Sequence, residues 1–138
     1  MREAASKYGI DLISLIAPTS EARIKEIAKT AAGFIYLVSS MGVTGVRGEI
    51  TTDIESIVAA IRDVTALPIA VGFGIHAPAQ AVQMARIADG VIVGSAIVKI
   101  IAEHGAGAGA QVSRYVREMK EAVMGAARSR VPPQEKKD

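Results

Sequence analysis

Cysteine and tryptophan are absent from this sequence, and aromatic residues make up only 4% of its 138 residues. The lack of cysteine excludes disulfides, thiolate chemistry and cysteine-based metal sites, and it is compatible with a reducing compartment. No apolar run approaches the roughly 20 residues that span a bilayer, and the polar start MREAASKYG has no signal-peptide core. These absences predict a soluble cytoplasmic protein with no membrane segment and no redox role.

An excess of charge of one sign is also lacking. Sixteen Lys and Arg residues against fourteen Asp and Glu residues leave a net charge of +2, spread along the chain, so no nucleic-acid surface is indicated. The length is typical of a single domain with its own core. We expect one domain over residues 1–127 and a disordered tail over residues 128–138, where the sequence ends VPPQEKKD.

Four short segments are almost continuously apolar, a pattern typical of parallel strands that are covered on both faces. They are Asp11–Pro18, Phe34–Ser39, Pro68–Gly74 and Gly90–Ser95. Helical periodicity follows each of them, as in the stripe Ile54, Ile57, Val58 and Ile61. A further helix carries an apolar stripe from Val112 to Val123, and the GAGAGA segment before it predicts a flexible hinge.

Four parallel strand–helix units form either a small open sheet or half of a (βα)8 barrel. The first ten residues read as the end of a helix with no strand before it, and Gly9 stands where a C-terminal cap belongs. This start favours the half-barrel. Two unpaired sheet edges would then drive association, so we expect a homodimer that closes the barrel.

The carboxyl ends of the predicted strands are rich in glycine, and ligands bind at this edge in parallel α/β folds. The junction Gly94-Ser95 leads directly into a helix, whose first N–H groups favour an anion such as phosphate. Taken alone, the pair also fits a tight turn in which Ser95 caps the helix. Gly45, Gly72 and Gly74 at neighbouring strand ends strengthen the phosphate interpretation.

The loop SSMGVTGVRGE, Ser39–Glu49, is the longest connection between predicted elements. Glycines at 42, 45 and 48 fit a mobile lid that excludes water, and they fit an ordinary surface connection equally well.

The carboxyl ends of the other three predicted strands, IAPTS, GFGIHAP and GSAIVK, contain no Asp or Glu. Acid–base catalysis, however, needs a titratable group within reach of the substrate. His76 and Tyr36 are the titratable candidates there, and His76 also fits a plain residue at a helix start. His76 and Ala77 leave that helix without a side-chain oxygen at its cap. His104 fits a partner of a helix dipole. The two histidines have no metal-ligand spacing, so no metal site is predicted.

Three motifs in this order, FIYLVSSMGVTGVRG, PIAVGFGI and ADGVIVGSAIVKII, closely resemble the C-terminal half of the tryptophan synthase alpha subunit family. The resemblance extends from about Glu3 to Val123. It implies a TIM barrel lyase of tryptophan biosynthesis, which cleaves indole-3-glycerol phosphate to indole and glyceraldehyde 3-phosphate. The fold class expected is therefore four parallel strand–helix units equivalent to the C-terminal half of that barrel.

The resemblance also assigns roles to individual residues. It places the substrate phosphate at Gly45, Gly74, Gly94 and Ser95, and it forms the indole pocket from Tyr36 and Phe73. It places Gly42 and Thr44 in the lid loop, where Thr44 bonds a catalytic aspartate on closure. Ser40 and Met41 depart from the family pattern, in which an arginine often follows the serine of YLVS.

The resemblance assigns catalysis to two carboxyl groups of the N-terminal half, and these have no counterpart in this sequence. We therefore predict no catalytic residue here and no useful turnover by the chain alone. The expected ligand is a phosphate-bearing small molecule of the indole-3-glycerol phosphate type. No cofactor is expected, and a completed barrel would dock a tryptophan synthase beta subunit. The alternative is a non-catalytic, self-associating half-barrel that binds phosphate.

Overall fold

A computed structural model describes residues 2–18, 21–39, 54–72 and 74–128. Its centre is one sheet of four parallel strands in the order β1-β2-β3-β4: β1 (Ser14–Ile16), β2 (Ile35–Val38), β3 (Ile69–Gly72) and β4 (Gly90–Ile92). The helices are α1 (Arg2–Ser6), α2 (Glu21–Lys29), α3 (Ile54–Arg62), α4 (Pro78–Ile87), α5 (Ser95–His104) and α6 (Gly109–Arg128). The predicted order of parallel strand–helix units is confirmed. Residues 129–138 of the predicted tail lie outside the described part.

The two faces of the sheet differ in burial. Ile35, Leu37 and Val71 are completely buried against the helices. On the opposite face Leu15 is 61% exposed, and its neighbours in the row across the sheet, Tyr36 and Ala70, are only partly buried. The apolar runs predicted cover on both faces, and within the described residues only one face has it. We call this partly exposed face, with Leu15, Tyr36 and Ala70, the half-open face. An exposed apolar face of this kind is typical of a surface that packs against more protein.

The strands are shorter than the apolar runs predicted. The first run, Asp11–Pro18, forms ladder pairs only from Ser14 to Ile16, and the last, Gly90–Ser95, only to Ile92. A run of apolar residues indicates that the residues are buried, not that they are paired in the sheet. Burial continues beyond the paired residues, since Ile75, after β3, is only 6% exposed. The predicted strand bounds were therefore too wide at each of these edges.

The helices follow their apolar stripes. The four stripe residues of α3 are its buried residues, as predicted: Ile54, Ile57, Val58 and Ile61. Gly9 and Gly33 have φ angles of +67° and +69°, the left-handed conformation that ends a helix and that glycine adopts without strain. Thr52, which the sequence pairs with Glu55 in a capping box, lies outside the described residues.

The expectation of a flexible hinge before α6 was wrong about local structure. Gly105–Gly107 forms a short 3-10 turn, and Ala108 behind it is 5% exposed. Its N–H bonds the carbonyl of Gly105, so the segment turns the chain from α5 into α6. Helix α6 then packs along α4, with Met119 buried. No helix of the described part is both long and apolar enough to cross a membrane.

The amino edge of the sheet is tied together by Asp89. Its carboxylate accepts the N–H of Ile69 at 2.9 Å and pairs with the guanidinium of Arg62, at the end of α3. Its own N–H bonds the carbonyl of Ile69 at 2.8 Å. One side chain thus joins the starts of β3 and β4 to a helix, which fixes the strand register that the opposite edge depends on.

Candidate functional site

Two glycine turns lie side by side at the carboxyl edge of the sheet. Gly72 of β3 is paired with Ile92 of β4, and Gly74 and Gly94 each follow two residues beyond that pair. Neighbouring strands are about 4.8 Å apart, so the two turns lie next to each other at this edge. Gly74 has a φ of +78°, which requires glycine. Register alone therefore brings together two of the glycines that the sequence nominated.

The start of α5 is an uncapped helix N-terminus. Gly94 is the N-cap residue, with no side-chain hydrogen bond at the cap, and Ser95 is the first residue of the helix. The interpretation of Ser95 as the cap was wrong by one residue, because the chain enters the helix already at Gly94. The first N–H groups of a helix have no partner within it, and an anion satisfies them. The hydroxyl of Ser95 lies in the same first turn.

Space at Gly94 is open. A Cβ placed there would meet no atom within 4 Å, so packing within the described protein does not require glycine at this position. Its φ of −122° is also accessible to other residues. A glycine that neither packing nor conformation demands leaves room for a ligand to approach the backbone.

The turn before α4 is held by side chains that the sequence analysis did not nominate. The amide oxygen of Gln80 accepts the N–H groups of His76 and Ala77, at 3.0 Å each. As expected, the N-cap residue Ala77 offers no side-chain oxygen to the helix. Gln80, at the third helical position, instead accepts the N–H groups that precede the helix, as the last residue of a capping box does. The Nδ1 atom of His76 lies 2.9 Å from the carbonyl oxygen of Gly74.

His76 is further fixed from the last helix. The hydroxyl of Tyr115, on α6, donates to the carbonyl oxygen of His76 at 2.9 Å. Burial raises the pKa of Tyr115 above its ordinary value of 10.0, so the hydroxyl is protonated and a donor at neutral pH. His76 itself is exposed. Its observed contacts, through one ring nitrogen and its backbone, are those of a residue that shapes a turn.

Tyr36 lies on the half-open face, with its ring over β3. A Cβ added to Gly72 would lie 2.6 Å from the Tyr36 hydroxyl oxygen and 2.7 Å from its Cε2 atom. The sequence analysis grouped Gly72 with the glycines of the predicted phosphate site, but in the structure Gly72 makes room for the Tyr36 ring. Next to it, the N–H and the hydroxyl of the buried Ser39 both donate to the carbonyl of Gly72 at 3.0 Å, which closes the end of β2 onto β3.

The remaining nominated residues lie outside the described residues: Gly42, Thr44, Gly45 and Phe73. The role of Gln80 could have been predicted from the sequence, because a Gln three residues after the N-cap Ala77 is a capping-box signal. Ser39 ends the motif YLVS and gave a weaker one. Tyr115 gave none, because it stands 39 residues from its partner. In the described part of the chain, His, Asp and Glu side chains form no cluster of three fit to hold a metal ion.

The comparisons with known proteins agree on one family. Its family model, described as tryptophan synthase alpha chain, matches residues 1–126. The curated tryptophan synthase alpha chain of Lactiplantibacillus plantarum is 59% identical over 126 residues, 91% of this chain and 47% of that protein. The alpha chain of Lacticaseibacillus casei is 53% identical over 119 residues, 86% of this chain and 45% of that protein.

Solved structures give the same result. The alpha subunit from Campylobacter jejuni has a TM-score of 0.72 and 36% identity, over 86% of this chain and 47% of that one. A chain of the tryptophan synthase α2β2 complex from Pyrococcus furiosus has a TM-score of 0.73 and 36% identity, over 86% of this chain and 49% of that one. This chain spans about half the length of the relatives it matches. The four strand–helix units thus correspond to half of a TIM barrel, and the chain belongs to the tryptophan synthase alpha chain family.

Proposed function

We propose that this chain supplies the phosphate- and indole-binding half of an indole-3-glycerol phosphate lyase of tryptophan biosynthesis. The observation that carries the proposal is the pair of adjacent turns at Gly74 and Gly94, one of them at an uncapped helix N-terminus. The phosphate sits against the first N–H groups of α5 and the hydroxyl of Ser95, with the backbone at Gly74 on its other side. Gly45 completes this site from the loop after β2.

Substrate recognition continues onto the half-open face of the sheet. Tyr36 lies there against Gly72, one strand away from the glycine turns, and lines the indole pocket together with Phe73. Gly42 and Thr44 belong to the lid that closes over the pocket. The ring of Tyr36 is only partly buried, so an aromatic ligand can pack against it. The phosphate turns then fix where along the strands the indole lies.

Chemistry requires a second half. The carbon–carbon cleavage needs an acid to protonate the indole ring and a base to take a glycerol proton, and among the described residues no carboxylate lies at the carboxyl ends of the strands. A complementary four-stranded half brings those groups and covers the half-open face. Acting in the cytoplasm, the completed barrel docks a beta subunit to form an assembly like the tryptophan synthase α2β2 complex of Pyrococcus furiosus.

Complementation tests this proposal. Release of indole from indole-3-glycerol phosphate would be measured for the chain alone, and for the chain mixed with the N-terminal half of the Lactiplantibacillus plantarum alpha chain. We expect turnover only in the mixture, and a raised KM when the chain carries Gly94→Asp, whose charge repels phosphate. A Gly107→Asp chain serves as control. Turnover by the chain alone, or an inactive mixture that forms a stable complex, would contradict the proposal.

A second candidate is a non-catalytic half-barrel that pairs with its own copy and binds phosphate. Within the described residues, β1 and β4 each have a neighbour on one side only, and Ile10, before β1, and Leu15, within it, are 58% and 61% exposed. Apolar surface next to open edges favours self-association. Pairing β4 of one copy with β1 of another, in parallel, closes eight strands about a two-fold axis.

Molar mass by light scattering separates the two candidates. The self-associating module is a dimer without any added half, and Leu15→Glu on the half-open face dissociates it, while Lys29→Glu on the exposed side of α2 does not. A monomeric wild-type chain at micromolar concentration would remove this candidate. A dimer that exchanges into a complex with the N-terminal half is compatible with the lyase proposal.

A further inference from the structure

The turn from Gly74 to Ala77 is restrained at three backbone positions. The His76 ring contacts the carbonyl of Gly74, and the Gln80 amide oxygen accepts two consecutive N–H groups. Both side chains belong to the turn or to the first turn of α4, so they restrain its local shape. Only Tyr115, which bonds the carbonyl of His76, reaches the turn from a distant element among the contacts described here. The local shape of the turn thus depends on His76 and Gln80, whereas its position relative to the rest of the protein depends on Tyr115.

The Tyr115 side chain is itself held in place by the packing around it. Helix α6 packs along α4, and the Tyr115 ring lines an apolar cavity of about 340 Å3 between β4, α5 and α6, beside Val91, Val93 and Met119. A ring held by packing places its hydroxyl with little loss of conformational entropy. Because a trans peptide is planar, a fixed His76 carbonyl also fixes the direction of the Ala77 N–H, which Gln80 accepts.

We propose that Tyr115 is a positioning residue for phosphate binding, since its hydroxyl holds the turn after β3 beside the N-terminus of α5. This inference rests on the proposed function, in which one phosphate contacts both the Gly74 turn and the start of α5. A shared anion is bound well only when both sets of N–H groups lie within hydrogen-bond distance at once. Helix α6 contacts α4 and α5, so it is placed to set the spacing between the two turns.

The experiment compares Tyr115→Phe with Tyr8→Phe, a matched removal of one hydroxyl from a tyrosine that is 81% exposed. Calorimetry with glycerol phosphate gives the dissociation constant, and amide hydrogen exchange without ligand gives the protection of residues 75–77. We expect about fivefold weaker binding for Tyr115→Phe, the effect of losing one ordering hydrogen bond, with faster exchange confined to the turn. Tyr8→Phe is expected to match wild type in both measurements.

A merely structural hydroxyl predicts different results. If Tyr115→Phe binds glycerol phosphate as wild type does, or if exchange rises throughout the chain in parallel with a lower melting temperature, the inference is overturned. If wild type itself binds no glycerol phosphate, the proposed function fails. The role in phosphate binding then fails with it, and hydrogen exchange separately tests whether Tyr115 holds the turn: unchanged protection of residues 75–77 in Tyr115→Phe overturns that part, and protection lost only there supports it.

Discussion

The two ends of the strands are built from different chemistry. At the amino edge, the charged side chain of Asp89 bonds the Ile69 N–H and pairs with Arg62. At the carboxyl edge, Gly74 and Gly94 bring bare backbone to the surface, and the cap of α5 has no side-chain hydrogen bond. The amino edge uses its polar groups to hold the fold, whereas in the proposed function the first N–H groups of α5 at the carboxyl edge bind a ligand. The contrast predicts that substitutions at one end change stability and at the other change binding.

The largest effect is expected where the carboxyl edge is also tightly packed. Gly72→Ala would place a methyl group 2.6 Å from the Tyr36 hydroxyl oxygen, so the ring must move. We expect the free energy of unfolding to fall by about 1–3 kcal/mol, the usual cost of overpacking. Denaturant titration measures it, with Gly90→Ala as control, because the Cβ added there meets its nearest atom, in Ala70, at an ordinary 3.8 Å.

A double-variant cycle shows whether the Tyr36 ring is the cause. In Gly72→Ala combined with Tyr36→Ala, the new methyl group meets no ring, so the combined loss is expected to be smaller than the sum of the single losses. Additive losses, or equal losses in Gly72→Ala and Gly90→Ala, would show that Gly72 has another role.

Asp89→Ala at the amino edge is expected to lower the free energy of unfolding by about 2 kcal/mol, because a hydrogen bond from a backbone N–H to a charged group is lost. Asp63→Ala removes a carboxylate that is 64% exposed and paired with Lys25, so we expect a loss within about 0.5 kcal/mol. Affinity for glycerol phosphate, measured by calorimetry, stays at the wild-type value in both variants. Weaker binding by folded Asp89→Ala would break the division between the edges.

Gly94→Ala, at the carboxyl edge, is expected to weaken ligand binding without lowering stability. The added methyl group meets no protein atom, so the melting temperature is expected to stay near that of wild type. The same group occupies the space of an approaching anion, and we expect about tenfold weaker binding of glycerol phosphate, a free-energy change of about 1.4 kcal/mol. Gly107→Ala, where an added Cβ also meets nothing, is expected to bind as wild type does. Equal binding by both variants would remove Gly94 from the site.

The smallest effect concerns pH. Burial raises the pKa of Tyr115 in the folded chain above 10.0, so the folded state holds this proton more tightly than the unfolded state. The resulting stability is present below pH 10 and is lost as the pH rises through the folded value. Above pH 10, wild type is expected to lose unfolding free energy more steeply than Tyr115→Phe, and Tyr8→Phe to follow wild type. Parallel curves for wild type and Tyr115→Phe would contradict the assigned burial.

Much of the fold was predictable because burial leaves periodic traces. The stripe of α3 and the apolar runs of β2 and β3 are local patterns, and they gave the element order and the parallel sheet. The strand ends were not predictable, because apolar residues such as Ile75 stay buried after the ladder stops. The half-open face around Leu15 also left no trace, since its residues are as apolar as those of a covered face.

The site was predictable only where its chemistry is local. Gly94 and Ser95 stand together in the sequence, so the helix start could be recognised, although the capping position was misplaced by one residue. The ring of Tyr36 over Gly72 depends on strand register, and the bond from Tyr115 to His76 depends on how α6 packs. Neither has a sequence period. The roles of Gly42, Thr44, Gly45 and Phe73 stay predictions.

The central claim is that the carboxyl edge of this half-barrel binds phosphate through its backbone. Titration of the 15N-labelled chain with glycerol phosphate, followed in amide NMR spectra, tests it most directly. The account predicts saturable shifts that are largest at Gly74, Gly94, Ser95 and Ala96, with the amides of Ile69 and Asp89 at the other edge unchanged. Absence of saturable shifts at millimolar ligand, or shifts centred on the amino edge, would contradict it.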